Sequence, residues 1–371
     1  MPSPHGTDRR AFLRRSAVAG TAASLGGLAG CLDTITGGGE DGGPLNVAVY
    51  GGVFQDVLDE HLFGPFNEEH DFEAQSEEQP TSEEALNQYE SAVDAGEAPV
   101  DVAIMAQTGL LQGRSSDLWH GWNEDDFENV QYIADDLVHE IDSGIDGIGA
   151  LSWYINLVQN TESIEEPIDT WEALWDSQYE GQLGLLSYAS NSFLLEVTAE
   201  TQFGGKDQLD SKSGIEEVLQ KLEEAKPQAG FWYENEAEFQ DRLREGEVPA
   251  GMLYNDITLV MKDEGAPVQT NWVQEGSILD HGSWVALTTT GLEEEARQFI
   301  DYASQPEVQD RIAENLFTSP TITREHSGLD DETYEKIAGP GPGEAITPKY
   351  ELYTGELEEW VNEKWNEFII E

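Results

Sequence analysis

Three short segments place aromatic rings, a carboxylate and paired glycines where strands should end. Tyr50-Gly51-Gly52 closes the β-rich run that starts at Leu45. Tyr254-Asn255-Asp256 follows the apolar Met252-Leu253, and Trp232-Tyr233 follows Pro227 and Gly230. Ligands of open α/β sheets bind beyond the carboxyl ends of strands, so Tyr50, Trp232 and Tyr254 are candidate contacts. Aromatic faces beside a carboxylate such as Asp256 form a box for an ammonium group, each contact contributing about 0.5–2 kcal/mol. Gly51 and Gly52 would let backbone N–H groups approach a ligand closely. Trp171, Trp175, Trp360 and Trp365 recur at helical spacing and are expected in the core.

Signatures of covalent chemistry are missing. The chain has no G-x-x-x-x-G-K-[ST], no H-E-x-x-H and no G-x-S-x-G. Its seven His are scattered without metal-ligand spacing, and its one Cys excludes an internal disulfide, a Cys-based zinc site and an iron–sulfur cluster. No catalytic residue, metal or cofactor is expected. Lys plus Arg number 18 against 75 Asp plus Glu, a net charge of −57, which excludes a nucleic-acid binder. The acids run from Glu40 to Glu371 instead of forming one tail. A uniform excess fits very salty surroundings, where the Debye length shrinks to about 3 Å at 1 M and self-repulsion is screened.

The single cysteine sits at the end of an export-like leader. Arg9-Arg10-Ala11-Phe12-Leu13-Arg14-Arg15 is basic, residues 16–28 are short, apolar and rich in Ala and Gly, and Leu28-Ala29-Gly30-Cys31 follows. The arginine pair resembles a twin-arginine signal and Leu-Ala-Gly-Cys resembles a lipobox. Residues 1–30 are therefore expected to be a signal peptide, with Cys31 lipidated and residues 31–44, rich in Gly, a flexible tether. Two acyl chains would anchor the body stably to the outer face of the membrane, and the lipid would be its only membrane contact.

The elements that must position the candidates alternate. Strands are expected at Leu45–Tyr50, Phe72–Gln75, Val100–Met105, Gly149–Val158 and ending at Tyr254. Helices are expected at Phe54–Phe66, ended by Gly64-Pro65, at Ser82–Val93, behind a capping box at Ser213-Gly214-Ile215-Glu216, from Leu292, and at the C-terminus. Such alternation implies α/β lobes with mainly parallel sheets. Gly339-Pro340-Gly341-Pro342-Gly343 reads as a loop.

Several segments, in order, resemble the solute-binding proteins of ABC importers, in the subgroup that serves spermidine, putrescine and related solutes. They are Asn46–Gly52 with Phe63-Gly64-Pro65-Phe66, Ala98–Val102, Thr170–Trp175 with Tyr179–Leu183, Glu245-Gly246-Glu247, Glu275-Gly276-Ser277, and Ala296–Phe299 with Gln305–Gln309. The resemblance implies an α/β, two-lobed periplasmic-binding-protein-like (type II) fold with hinge crossover strands. Lobe one would be 45–152 plus 270–325 and lobe two 153–269, with 326–371 a C-terminal loop and helix packing on both. Crossovers would lie near Trp153–Asn160 and Val268–Val273.

The resemblance also implies function and site. A small organic solute, polyamine-like or another organic cation, would be captured between the lobes and delivered to the permease subunits and their ATPase. The protein would be a monomer at the cell surface. Trp153 and Tyr154 would fall at the first crossover, Trp232 and Tyr233 at an edge of lobe two, and Trp284 after the Glu-Gly turn. They join Tyr50, Gly51, Gly52, Tyr254 and Asp256 as candidates. Polyamine binders of this subgroup often carry an acidic patch where this chain has Ser187-Tyr188-Ala189-Ser190-Asn191. They tend to carry Trp-x-Asp where it has Asp280-His281-Gly282. The rival readings are a secreted cell-surface hydrolase, which needs a convergent acid–base or metal site, and a surface-layer protein, which tends toward β-rich repeats.

Overall fold

The computed structural model describes residues 43–79, 82–339 and 345–370. The leader, Cys31, most of the tether and the centre of the 339–343 loop lie outside the described residues. Ten strands form one sheet: β1 (Leu45–Val49), β2 (Ala74–Glu78), β3 (Val102–Ala106), β4 (Val138–Ile141), β5 (Gly144–Asn160), β6 (Leu183–Leu186), β7 (Ala229–Tyr233), β8 (Ala250–Tyr254), β9 (Val268–Asn271) and β10 (Ile278–Ala286). The main path runs β2-β1-β3-β10-β5-β8-β6-β7, and β4 and β9 also pair with β5. The first three strands are parallel to one another, as are β6, β7 and β8. Each parallel group meets β5 or β10 antiparallel.

β5 joins the two halves. Along Ile148–Ile155 it pairs with β10, and along Ile155–Asn160 with β8 and β9. Its side chains follow the same division. Ile148 and Leu151 lie in one core with Val47, Phe66, Trp284 and Phe299. Ile155 and Leu157 lie in another with Trp171, Phe239, Met252 and Trp365. A further cluster, including Tyr89, Met105 and Trp119, packs near the first on residues of β3 and β10. The two separate cores on either side of β5 give an α/β, two-lobed molecule.

β10 crosses as well. Ile278 belongs to the second core and Trp284 to the first, so the return passage falls around Ile278–Asp280. The expected crossover at Val268–Val273 is displaced, because Val268 and Val273 are both buried in the second core.

A third segment runs beside this passage. Ile346 bridges to Ile278, with Leu279 N–H donating to the Ile346 carbonyl at 3.0 Å and Ile346 N–H to the Ser277 carbonyl at 2.9 Å. The segment is fixed to the second lobe through buried Glu196, which accepts from Lys349 N–H at 2.8 Å and from the Tyr353 hydroxyl at 2.7 Å. The final helix, Glu358–Ile370, buries Val361, Trp365 and Phe368 in the second core.

Two local expectations change. Gly64-Pro65 does not end the first helix: Val53–Leu58 passes through a π turn at Asp59–Phe63 into Gly64–Glu69. The bulge places Pro65 in the first turn of a new α segment, where a missing N–H costs little. The helix expected behind Ser213 is Lys212–Glu223, and its cap is Ser211, whose hydroxyl accepts from Gly214 N–H at 3.1 Å.

Candidate functional site

Where the two cores meet, strand ends converge. From the first lobe, Tyr50 follows β1 and packs edge-on to Phe54 at 6.0 Å and to Trp153 of β5 at 6.5 Å. From the second, Tyr254 ends β8 and caps the helix Asn255–Asp263, whose first turn carries Asp256. Tyr50 packs against the first core and Tyr254 against the second, and burial raises both phenol pKa values, with the acids Glu236, Asp280 and Asp256 adding to the rise at Tyr254 and Asp280 to that at Tyr50. Glycine at 282 leaves room for the Tyr50 hydroxyl: a Cβ there would stand 3.4 Å from it and 2.9 Å from Ile104. The hydroxyl is buried and has no hydrogen-bond partner among the described residues. At Gly52, φ of 68° requires glycine for the turn into the first helix, and a Cβ at Gly51 would collide with the Glu78 carboxylate.

Two acids face this aromatic group, in unlike surroundings. Asp280 of β10 receives Tyr350 O–H at 2.8 Å and its neighbour's backbone N–H, from His281, at 2.8 Å. The neighbouring Trp153 side chain also favours its ionised form. Burial nevertheless pushes its pKa up to about 6. Asp256 has only backbone N–H support, its own and that of Ile257, and burial pushes its pKa up to about 7, with Glu236 contributing repulsion. Its Oδ1 is buried with no partner among the described residues. Glu236 itself is raised by burial. Tyr50, Trp153, Tyr254, Asp256, Glu236, Asp280 and Tyr350 thus form an aromatic, acidic group with no Lys or Arg among them.

Four other candidates lie elsewhere. Trp284 is 1% exposed in the first core, edge-on to Phe299 at 5.4 Å. Tyr233, also 1% exposed, stacks on Phe239 at 4.8 Å and donates to the Met252 carbonyl at 2.6 Å. Trp232, on the other face of β7, packs against Phe368 of the final helix at 5.9 Å. Tyr154 alternates away from Trp153 and lies edge-on to Trp272 at 5.0 Å. Trp171 is fully buried, as expected of a core residue.

Asp280, Glu236 and Tyr350 were not among the candidates. Glu236 follows the end of β7, so the strand-end rule could have found it. Asp280 stands in the segment where the subgroup's Trp-x-Asp is altered. Tyr350 reaches it from seventy residues away, and no local pattern signals that contact.

Near Asp280, His139 and His281 face each other with Nε2 atoms 3.0 Å apart. Burial lowers both pKa values, to about 4 and about 3, so one neutral ring donates to the other. Among the described residues no group of three His, Cys, Asp or Glu is placed to hold a metal ion.

Comparison with known proteins agrees with this architecture. The family model for bacterial extracellular solute-binding proteins matches residues 61–336. A gamma-aminobutyric acid-binding protein of Pseudomonas aeruginosa is 22% identical over 282 residues, 74% of this chain and 76% of that protein. The spermidine/putrescine-binding periplasmic protein of Escherichia coli is 27% identical over 157 residues, 42% of this chain and 43% of that one. The crystal structure of a spermidine/putrescine ABC transporter substrate-binding protein from Streptococcus pneumoniae superposes with a TM-score of 0.75 at 18% identity, covering 88% of this chain and 98% of the other.

Proposed function

The chain belongs to the bacterial extracellular solute-binding protein family, and from that premise we propose that it captures a small organic cation for an ABC importer. The observation that carries this reading is the pair of half-buried carboxylates, Asp256 and Asp280, set among the rings of Tyr50, Trp153 and Tyr254, with no Lys or Arg in that group among the described residues. An ammonium group there would meet charge-assisted acceptors and aromatic faces together. The lobes would close on it, and the closed form would dock on the permease. Tyr50, Gly51, Gly52, Trp153, Tyr254, Asp256 and Asp280 are the proposed contacts. The names of the relatives point to amine-bearing solutes, and both a polyamine and an amino acid with a distal amine fit this chemistry.

A thermal-shift screen in molar salt tests the proposal. Spermidine, putrescine, 4-aminobutyrate and thiamine are compared with uncharged analogues of similar size. Stabilisation by at least one amine and by none of the uncharged analogues is expected. Stabilisation by uncharged compounds alone would oppose the cation reading.

The leader motifs support a finer proposal, a monomeric lipoprotein held at the cell surface through Cys31. Cys31→Ala should then release it from membranes, measured by fractionation in high salt. The net charge of −57 supports adaptation to salt. The melting temperature should rise from dilute buffer to molar salt as screening reduces repulsion among the acids.

A further inference from the structure

We propose that Tyr350 is a positioning residue of the solute site, holding Asp280 ionised and aimed at the bound cation from the C-terminal segment. The inference rests on the cation reading above. The Tyr350 hydroxyl donates to Asp280 Oδ1 at 2.8 Å, the same oxygen that accepts from His281 N–H. Its ring is held edge-on by His281 at 5.9 Å and by Phe193 at 6.3 Å, so the hydroxyl has little freedom to turn away. The backbone on which it stands is fixed to the second lobe. Glu196 takes Lys349 N–H on one oxygen and the Tyr353 hydroxyl on the other, and Lys206 Nζ donates to the Thr347 carbonyl at 2.8 Å. A hydroxyl anchored on one lobe therefore serves a carboxylate on a strand that passes into the other.

That hydrogen bond favours the charged form of Asp280, against burial, which favours the neutral form. The groups facing Asp280 do not take over this role. Tyr50, from the end of β1, and Tyr254, from the end of β8, are phenols whose pKa is raised, so both are neutral and neither supplies a cation. His281, beside Asp280, and its partner His139 stay neutral down to about pH 4. Trp153 lies nearby but does not titrate. Asp256 and Glu236 titrate on the second lobe, Asp256 at about 7. Cation affinity should therefore fall in two steps as the pH drops, the lower one belonging to Asp280.

The test is calorimetric titration of the full chain in molar salt between pH 5 and 8. The probes are putrescine and 4-aminobutyrate, whose amines stay charged throughout. Tyr350→Phe keeps the ring contacts and removes only the donor. Its lower step should move up by about one pH unit, into the step of Asp256, so that affinity falls over a narrower and higher pH range. Tyr353→Phe, which loosens the same segment but leaves every donor to Asp280, should leave both steps where the wild type has them. An unmoved lower step in Tyr350→Phe, or an equal move in Tyr353→Phe, overturns the assignment and leaves the cation reading intact. If no amine binds the wild type, the cation reading fails and this inference with it.

Discussion

Asp280 and Asp256 face the same aromatic group from opposite sides, and they differ in what the protein has already given them. Asp280 is served by a phenol and a backbone N–H, with the Trp153 indole nearby. Asp256 stands at the start of a helix with backbone support only, and one of its oxygens is buried without a partner. The raised pKa values follow that order, about 6 for the better-served acid and about 7 for the other. A carboxylate already supplied with donors contributes charge to a site. A carboxylate with an unused acceptor in a dry environment still has a strong hydrogen bond to gain. Under the proposed function, Asp280 at the passage between the lobes is preorganised, and Asp256 on the second lobe would be completed by the solute.

The sharpest way to break this comparison is to neutralise each acid in turn. Asp256→Asn should weaken cation binding by about 2–4 kcal/mol, read by titration at pH 8. The same variant should stabilise the solute-free protein. With the folded-state pKa raised, the cost of ionising Asp256 is absent below the unfolded value near 4 and grows as the pH rises through 7. Thermal unfolding should show a gain on the order of 1–3 kcal/mol at pH 8 and a smaller one at pH 5. Asp280→Asn should cost less affinity, about 1–2 kcal/mol, because its oxygens are already partly served. Equal losses at the two positions would erase the distinction between the walls.

Smaller effects sharpen it. Tyr254→Ala should remove one aromatic contact from the solute, about 0.5–2 kcal/mol of affinity. Trp284→Ala should leave the affinity of the folded protein unchanged while lowering stability by about 3–5 kcal/mol, since its ring fills the first core. A change in affinity there would place the residue in the site after all.

Tyr50, Tyr254 and Asp256, proposed here as contacts, could be placed where the cores meet from the sequence because each follows or ends a strand or opens the following helix. Trp284 looked equivalent as a residue type. It lies near the middle of β10's pairing with β3, opposite Ile104, where a large ring is turned into the core. Tyr233 ends a strand as Tyr254 does, but its hydroxyl is taken by the Met252 carbonyl of β8, two strands away in the sheet, a tertiary contact without local signature. Strand–helix alternation made the lobes legible. The passage of β10 between the cores was not, because apolar residues on either side of a hinge read alike until their partners are known. The same limit hid Asp280, whose side-chain donor, Tyr350, comes from seventy residues away.

The most direct measurement is calorimetric titration of the wild type and Asp256→Asn at pH 8 in molar salt, with the best amine from the screen and its uncharged analogue. The account predicts that the wild type binds the amine and not the analogue, and that the substitution removes most of this preference. Equal affinity of the wild type for both compounds, or a preference unchanged in Asp256→Asn, would contradict it.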